Sequence, residues 1–217
     1  MITLYHTPLS INSRRVWVAL IEKGLAFELK EVNLTGDQFK PEFLALNPFH
    51  HIPVLVDGDN TIIESFAMLD YLEAKYPHPA LMPPSPEAVA RVRMVQMVTL
   101  NEMLPASLPL TMKYLFGKDD PEAVAKAYEK TAVVLKFWAQ QLGDDEFFGG
   151  QQLSLADVVS GTLAAWLPEM GLSLADYPTL DSWRQRLMER PAWQQTHVSQ
   201  ADLEAFKVKM QQRMVGT

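Results

Sequence analysis

The stretch Ile2-Thr-Leu-Tyr-His-Thr-Pro-Leu-Ser-Ile-Asn-Ser-Arg-Arg-Val-Trp-Val-Ala-Leu-Ile-Glu-Lys-Gly24 decides the fold. It predicts a short apolar strand, Ile2 to Tyr5, a turn of small polar residues, and an apolar helical run, Val16 to Ile21, that ends at Gly24. A strand that enters a helix through such a turn presents hydroxyls and unpaired backbone N–H groups at a helix N-terminus. This place favours an anion, because the free donors and the helix dipole both point there. Phosphate, carboxylate and thiolate all remain open as the anion.

The composition limits the classes of function. The chain has 217 residues, of which 48% are hydrophobic and 21% charged, so it has room for one large domain or two small ones. Its net charge of −7 and the lack of a basic cluster disfavour nucleic acid or an anionic membrane as a partner. No apolar run reaches membrane-spanning length, and the N-terminus lacks the features of a signal peptide. We therefore expect a cytoplasmic protein.

Cysteine is absent from the sequence. Its absence excludes disulfides, thiolate metal sites and a cysteine nucleophile. Any thiol chemistry must therefore use a thiol that a ligand brings.

The first part of the chain is predicted to form a small mixed sheet covered by helices. After Gly24, strands are expected over Phe27–Val32 and in a hairpin whose turn is residues 57–60, with a loop and short helix before it. A helix over Phe66–Tyr76, with Ser65 as its N-cap, completes this domain at residues 1–76.

A proline-rich segment separates the sheet from a helical domain. Residues 77–86 contain five of the 15 prolines and are predicted to be a stiff linker. Beyond it, residues 87–217 contain no convincing strand and are predicted to be all-helical. The expected helices are Glu87–Leu104 with a bend near Pro105 and Pro109, Pro121–Leu142, a helix opened by a capping box at Ser154–Asp157 and running to Leu167, Tyr177–Arg190, and Trp193 to about Met210.

Four motifs of the sequence resemble those of the cytosolic glutathione transferases. Asn47 to Leu55 resembles that family's loop before its cis-proline, Glu64-Ser65 its γ-glutamyl clamp, and Ser154 to Asp157 its capping box. The opening Pro8 to Val16 is similar to the serine-type phi class, with the zeta, theta and cyanobacterial chi classes as alternatives. The resemblance implies an α+β thioredoxin-like domain, with a mixed sheet, that binds glutathione, followed by an all-α helical bundle. It also implies a homodimer with a role in detoxification.

The resemblance implies that Ser10 is the catalytic hydroxyl, which donates a hydrogen bond to the glutathione sulfur. The thiolate is the nucleophile, and lowering a thiol pKa of about 8.5 by about two units corresponds to roughly 2.7 kcal/mol. One charge-assisted hydrogen bond at a helix N-terminus can supply that amount. Ser13, which suits helix capping better, and Asn12, which has the spacing of a second sulfur contact in some bacterial relatives, are the alternatives.

The remaining glutathione contacts are also expected from the resemblance. A cis Ile52–Pro53 bond would turn the backbone of Ile52 toward the cysteinyl residue of glutathione, like an added strand. Glu64 would take the α-ammonium and Ser65, at a helix N-terminus, the α-carboxylate of the γ-glutamyl residue.

The glycyl end of glutathione is assigned to Lys40. Phi-class relatives carry a His-Lys pair here, whereas this chain has Gln38 and Phe39, so Gln38 is a weaker candidate for the same role. His51 is expected to hydrogen-bond the tripeptide. A metal site at His50-His51 is not expected, because adjacent side chains rarely converge on one ion.

The second substrate is expected to lie between Leu9–Ile11 and the first long helix of the second domain. The candidates on that helix are Met103, Leu104, Leu108 and Met112. The chain has 11 methionines, whose flexible thioethers suit varied apolar electrophiles, although ordinary core packing explains such residues equally well.

The predicted function is conjugation of the glutathione thiolate to a small apolar electrophile, with glutathione as co-substrate and neither metal nor cofactor. Two alternatives remain. One is a glutathione-dependent peroxidase or disulfide reductase, which needs the same bound thiolate. The other is a non-catalytic ligand carrier, although such proteins often lose the residues that match Ser10 and Glu64-Ser65.

Overall fold

The computed structural model describes the backbone of residues 1–215 and the side chains of residues 1–208. The chain divides into two compact units. The first comprises Met1–Leu81 and Pro191–His197, and the second comprises Met82–Arg190 and the described residues from Val198 onward.

The first unit is built on a four-stranded mixed sheet of order β2-β1-β3-β4. Strands β1 and β2 are parallel, with Leu4 opposite Leu29, whereas β1–β3 and β3–β4 are antiparallel. The predicted βαβ unit followed by a hairpin and a helix is thereby confirmed. Its elements are β1 (Ile2–His6), α1 (Ile11–Glu22), β2 (Phe27–Glu31), a 3₁₀ turn (Asp37–Phe39), α2 (Pro41–Leu44), β3 (Val54–Asp57), β4 (Asn60–Ile63) and α3 (Ser65–Lys75).

The apolar face of α1 packs against the sheet and against α3. Val16 and Leu20 of α1, Leu4 of β1, and Met68 and Leu72 of α3 are fully buried. Burial of such side chains contributes about 1.5–3 kcal/mol each, so this layer fixes where the first turns of α1 and α3 lie.

At the other end of α1, Lys23 ties the helix to the segment that follows α3. Its ammonium donates to the carbonyls of Tyr76 (2.8 Å) and Pro79 (2.9 Å) and pairs with Glu73 at 2.7 Å. A buried cation with three acceptors is fully paired.

The second unit is helical in its described part. Its core contains Trp138 and Trp183, whose rings meet edge to face with centroids 6.2 Å apart. The helices in chain order are α4 (Pro86–Val98), a π-helical segment (Thr99–Met103), α5 (Leu104–Phe116), α6 (Pro121–Leu142), α7 (Leu155–Ala164), α8 (Pro178–Met188), α9 (Pro191–Gln195) and α10 (Gln200–Val215), of which α9 clusters with the first unit.

The helix predicted over Glu87–Leu104 changes to a π-helical segment before Pro105 and continues as α5, in which Pro109 lies inside the helix. The Leu104 N–H donates to the carbonyl of Thr99, five residues earlier. Pro105 has no N–H to continue the regular i to i−4 pattern, which is why the register changes just before it.

The single helix predicted over Trp193–Met210 is wrong, because α9 and α10 are separate. Ser199 starts a new helix: its hydroxyl accepts the N–H of Asp202 at 3.1 Å and its carbonyl accepts that of Leu203 at 3.0 Å. The prediction that α7 runs to Leu167 is also too long, since the helix ends at Ala164. The capping box at Ser154–Asp157 is confirmed.

Candidate active site

A cavity of about 450 Å³ lies in the first unit at the N-terminal ends of α1 and α3. It is lined by residues from the β1–α1 turn, the loops on either side of α2, and the start of α3: Ser10, Asn12, Leu34, Gln38, Asn47, His50, His51, Ile52, Pro53, Glu64 and Ser65. Two helix N-termini at one cavity make an environment for anionic groups.

Ser10 is the N-cap of α1. Its Oγ accepts the N–H of Ser13 at 3.2 Å, and its carbonyl accepts the N–H of Arg14 at 2.8 Å. Since the cap uses a lone pair of the hydroxyl, the hydroxyl proton can still be donated to a group in the cavity. Capping and donation are therefore compatible at this residue.

Ser13, expected to be the helix cap, is instead inside the first turn of α1. The helix begins at Ile11, five residues before the apolar run at Val16, and its N-cap is therefore Ser10. The Ser13 side chain is buried, and its Oγ has no hydrogen-bond partner among the described residues. Ser13 does not line the cavity, whereas Asn12 is exposed and does.

The Ile52–Pro53 peptide bond is cis, as the resemblance implies. The loop before it is held by Asn47, whose Nδ2 donates to the carbonyl of His51 (2.8 Å) and whose Oδ1 accepts the N–H of Phe49 (3.0 Å). Asn47 is buried and lines the cavity, yet its only signal in the sequence is a polar residue before Pro48. Its role in positioning this loop was missed.

Glu64 and Ser65 lie side by side at the entry to α3. Glu64 has φ 67° and ψ 116°, a backbone conformation that residues other than glycine seldom adopt and that costs about 1–3 kcal/mol. Ser65 was expected to be the N-cap, but it is the first helical residue and the cap is Glu64, without a side-chain hydrogen bond. Residues held in such conformations cluster at active sites and ligand clamps, which is the role expected of Glu64 from the sequence.

Lys40 does not line the cavity. Its ammonium lies 2.6 Å from a carboxylate oxygen of Asp37 in an exposed pair, and this hydrogen bond raises the pKa of Lys40. Gln38 does line the cavity, but its amide is engaged within its own loop, since it accepts the N–H of Gly36 (3.1 Å) and donates to the carbonyl of Leu34 (2.9 Å).

His50 and His51 both line the cavity, with ring centroids 5.4 Å apart and nearly perpendicular rings. His50 also contacts the exposed ring of Phe39 at 5.0 Å. Within residues 1–208 no group of three or more His, Asp or Glu side chains is arranged to hold a metal ion.

The residues proposed for the second substrate belong to different units. Leu9 and Ile11 are half-buried beside Ser10 in the first unit. In the second unit Met103 is fully buried, which is typical of a core residue, Leu104 and Met112 are half-buried, and Leu108 is 56% exposed.

The second unit also contains a groove of about 740 Å³ between α5 and α6. Pro105, Ala106 and Pro109 line it on one side, and Ala127, Val133, Val134 and Phe137 of α6 line it on the other. The lining is mainly apolar and includes Val133, which is 70% exposed, but Glu102, Lys126 and Lys130 also line the groove.

Comparison with known proteins agrees with this geometry. Residues 4–80 match the family profile "Glutathione S-transferase, N-terminal domain", and residues 69–191 match "Glutathione S-transferase, C-terminal domain". The chain belongs to the glutathione S-transferase family. The predicted family and fold class are confirmed.

Individual members of the family cover nearly the whole transferase. Glutathione S-transferase F10 of Arabidopsis thaliana is 33% identical over 90% of this chain and 96% of its own length. Glutathione S-transferase 3 of Zea mays is 35% identical over 89% and 91%. A solved glutathione S-transferase-I with bound lactoylglutathione is 30% identical with a TM-score of 0.81, over 90% of this chain and 97% of its own.

The transferase shows no membrane-spanning element in its described part: its helices there are too short or too polar to cross a bilayer.

Proposed function

We propose that this transferase binds glutathione in the first-unit cavity, holds its sulfur as a thiolate beside Ser10, and conjugates it to small apolar electrophiles. The observation that carries the proposal is the Ser10 hydroxyl, which caps α1 with a lone pair and lines the same cavity as Ile52 and Glu64-Ser65. The solved relative with bound lactoylglutathione supports a glutathione-type ligand.

The cavity lining offers a chemically suitable partner for each of the three residues of glutathione. The cysteinyl backbone would pair with Ile52, and the γ-glutamyl ammonium and carboxylate with Glu64 and the start of α3 at Ser65. The glycyl end would lie toward His51 and Gln38. Lys40 can reach it only by leaving Asp37, which makes Lys40 a secondary candidate.

The reaction needs no group beyond glutathione in this scheme. The thiolate is nucleophilic, and the transferase raises its fraction at neutral pH through the Ser10 hydrogen bond and the N-terminus of α1. Binding of an apolar electrophile beside Leu9 and Ile11 would bring the two reactants together. We propose a cytoplasmic detoxification role for such conjugation.

We also propose that the transferase is a homodimer with a first domain of residues 1–76, a linker of 77–86 and a second domain of 87–217. The apolar groove between α5 and α6 and the exposed side chains of Val133, Met97 and Phe49 support an interface, because monomers seldom leave such patches bare.

The proposal is tested by titrating the thiol of bound glutathione in the wild type and in Ser10→Ala, using the ultraviolet absorbance of the thiolate. We expect the alanine variant to raise the thiol pKa by about two units, which would lower conjugation of a halogenated aromatic at neutral pH by about 10- to 100-fold. An unchanged thiol pKa would remove Ser10 from the mechanism and favour Asn12, which lines the same cavity, over Ser13, which does not.

The matched control is Ser85→Ala. Ser85 caps α4 as Ser10 caps α1, with its Oγ accepting the N–H of Ala88 at the same 3.2 Å. Both variants should lose about 1 kcal/mol of stability, but only Ser10→Ala should change the thiol pKa.

A wild type that turns over hydroperoxides but no halogenated aromatic would favour the peroxidase, and one that binds glutathione without shifting its thiol pKa would favour the carrier.

A further inference from the structure

Two adjacent arginines in the first turns of α1 are buried and have no carboxylate partner within residues 1–208. Arg14 donates to the carbonyl of Trp193 in α9 (3.3 Å) and to Thr196 Oγ1 directly after α9 (3.1 Å), both neutral groups. Arg15 has no accessible surface, and its Nε, Nη1 and Nη2 have no hydrogen-bond partner among the described residues. Its one charge-related contact in that part of the chain is the ring of Phe66, 5.2 Å from its guanidinium carbon.

The position of Arg15 relates its charge to the cavity. Arg15 is five residues after Ser10, a rise of about 7.5 Å along the helix axis. The Phe66 ring that it faces belongs to the residue directly after Ser65. The guanidinium therefore lies between the first turns of α1 and α3, the two helices whose N-terminal residues line the cavity. Neither first turn contains an acidic residue, and the acid closest in sequence to either turn is Glu64, the N-cap of α3.

A buried cation without a counter-charge is costly to the fold. Burial lowers the pKa of Arg15 to about 10, so the group remains charged at neutral pH. The cation–π contact with the Phe66 ring offsets only part of the hydration free energy that the guanidinium loses on burial. The positive charge of Arg15 therefore attracts an anion bound in the neighbouring cavity, because the protein interior has a low dielectric constant and screens the charge only weakly.

We propose that Arg15 is the fixed counter-charge of the glutathione site, which favours the bound tripeptide in its thiolate form without touching it. This inference rests on the proposed function, because it concerns the same ligand. Arg14 adds to the same field, but its bonds to α9 also give it a structural role, so Arg15 isolates the electrostatic effect.

The other charged groups around α1 are placed differently. The acids on α1 and α3, namely Glu22, Asp70 and Glu73, are at least four residues further along their helices than Arg15 and Phe66. Lys23 is neutralised by Glu73 and lies about 20 Å along the axis from Ser10. Glu64, two residues before Phe66, lines the cavity itself and is the proposed partner of the glutathione α-ammonium. The remaining titratable groups are Lys75 and Tyr71 of α3 and Tyr5 and His6 of β1, and α9 contributes none.

The test compares Arg15→Met and Arg15→Lys with the wild type by the same thiolate titration. The methionine variant should raise the pKa of the bound thiol by about one unit, the effect of one charge near 10 Å at an effective dielectric constant near 20. The lysine variant keeps the positive charge, so its bound thiol should have a pKa close to that in the wild type. S-methylglutathione, which has no ionisable thiol, should lose less affinity in Arg15→Met than glutathione does.

Stability provides a second, independent measurement. Removing an unpaired buried charge should leave the urea midpoint of Arg15→Met unchanged or higher. Lys23→Met, which breaks a paired buried cation on the same helix, should lower the midpoint and leave the thiol pKa unchanged.

The outcomes separate this inference from the function itself. If the wild type does not bind glutathione, the proposed function fails. If the wild type lowers the thiol pKa and Arg15→Met lowers it equally, only the role of Arg15 is overturned. A less stable Arg15→Met with an unchanged thiol pKa would make Arg15 a purely structural residue.

Discussion

The Ser10 hydroxyl accepts one hydrogen bond and has a proton left to donate, so one side chain both starts α1 and faces the cavity. This arrangement fixes the hydroxyl before any ligand arrives. A preorganised donor stabilises a developing negative charge better than a mobile one, because it need not reorient during the reaction.

Asp57 is another residue whose surroundings define its charge state. One of its carboxylate oxygens accepts hydrogen bonds from Lys75 Nζ (2.6 Å), Tyr76 OH (2.7 Å) and Tyr71 OH (3.0 Å). Burial tends to raise the pKa of this carboxyl, but the three hydrogen bonds outweigh burial and lower it. The cluster joins β3 to the C-terminal end of α3.

This lowered pKa predicts a loss of stability in acid. Since the carboxyl is more acidic in the folded than in the unfolded chain, its contribution is complete above the unfolded pKa near 4 and is lost as the pH falls through the folded value. The urea midpoint of the wild type should therefore drop further between pH 7 and pH 3 than that of Asp57→Asn. Asp59→Asn, in the exposed hairpin turn, should behave like the wild type; equal acid sensitivity in all three proteins would contradict the prediction.

At the scale of elements, α7 depends on the buried carboxylate of Asp157. Its Oδ1 accepts the N–H groups of Phe148 (2.9 Å) and the Trp183 indole (2.8 Å). Its Oδ2 accepts the N–H (2.8 Å) and the hydroxyl (2.6 Å) of Ser154. One side chain thus joins the start of α7 to α8 and to the loop before α7.

We expect Asp157→Ala to lower the free energy of unfolding by about 3–5 kcal/mol, because it leaves several buried donors without acceptors. Asp120→Ala is the matched control, since Asp120 caps α6 at an exposed site by accepting the N–H of Ala123 at 3.1 Å, and its loss should cost about 1 kcal/mol. Denaturant unfolding measures both. Similar losses in the two variants would show that the buried bonds add nothing to ordinary capping.

At the scale of the whole molecule, the proposed dimer can be tested on the groove of the second unit. We expect the wild type to sediment at about twice the 24.5 kDa chain mass, and Val133→Asp to shift toward the monomer, because an ionised carboxylate is costly in a buried apolar interface. Val208→Asp changes an equally apolar, half-exposed valine on α10 outside the groove and should leave the mass unchanged. A dimer that survives Val133→Asp would exclude this groove from the interface.

The sequence by itself determined the order of elements, the helix over Pro121–Leu142, the capping box at Ser154–Asp157, and the family. These features depend on local patterns of apolar spacing, caps and turns, which are readable without knowing what packs against them. The same patterns failed where a second signal overrode them, as at Ser199, which starts α10 in the middle of a predicted helix.

Only the tertiary structure decided which residues meet. It packed α9 against α1, so that Arg14 bonds to Thr196, 182 residues away, and it buried Arg15 against the Phe66 ring with no hydrogen-bond partner in the part of the chain that is described. It placed Asn47 and Gln38 in the cavity wall and left Lys40 outside. Burial and long-range contact depend on the packing of distant segments, and the chemistry of these charged and polar side chains follows from their surroundings.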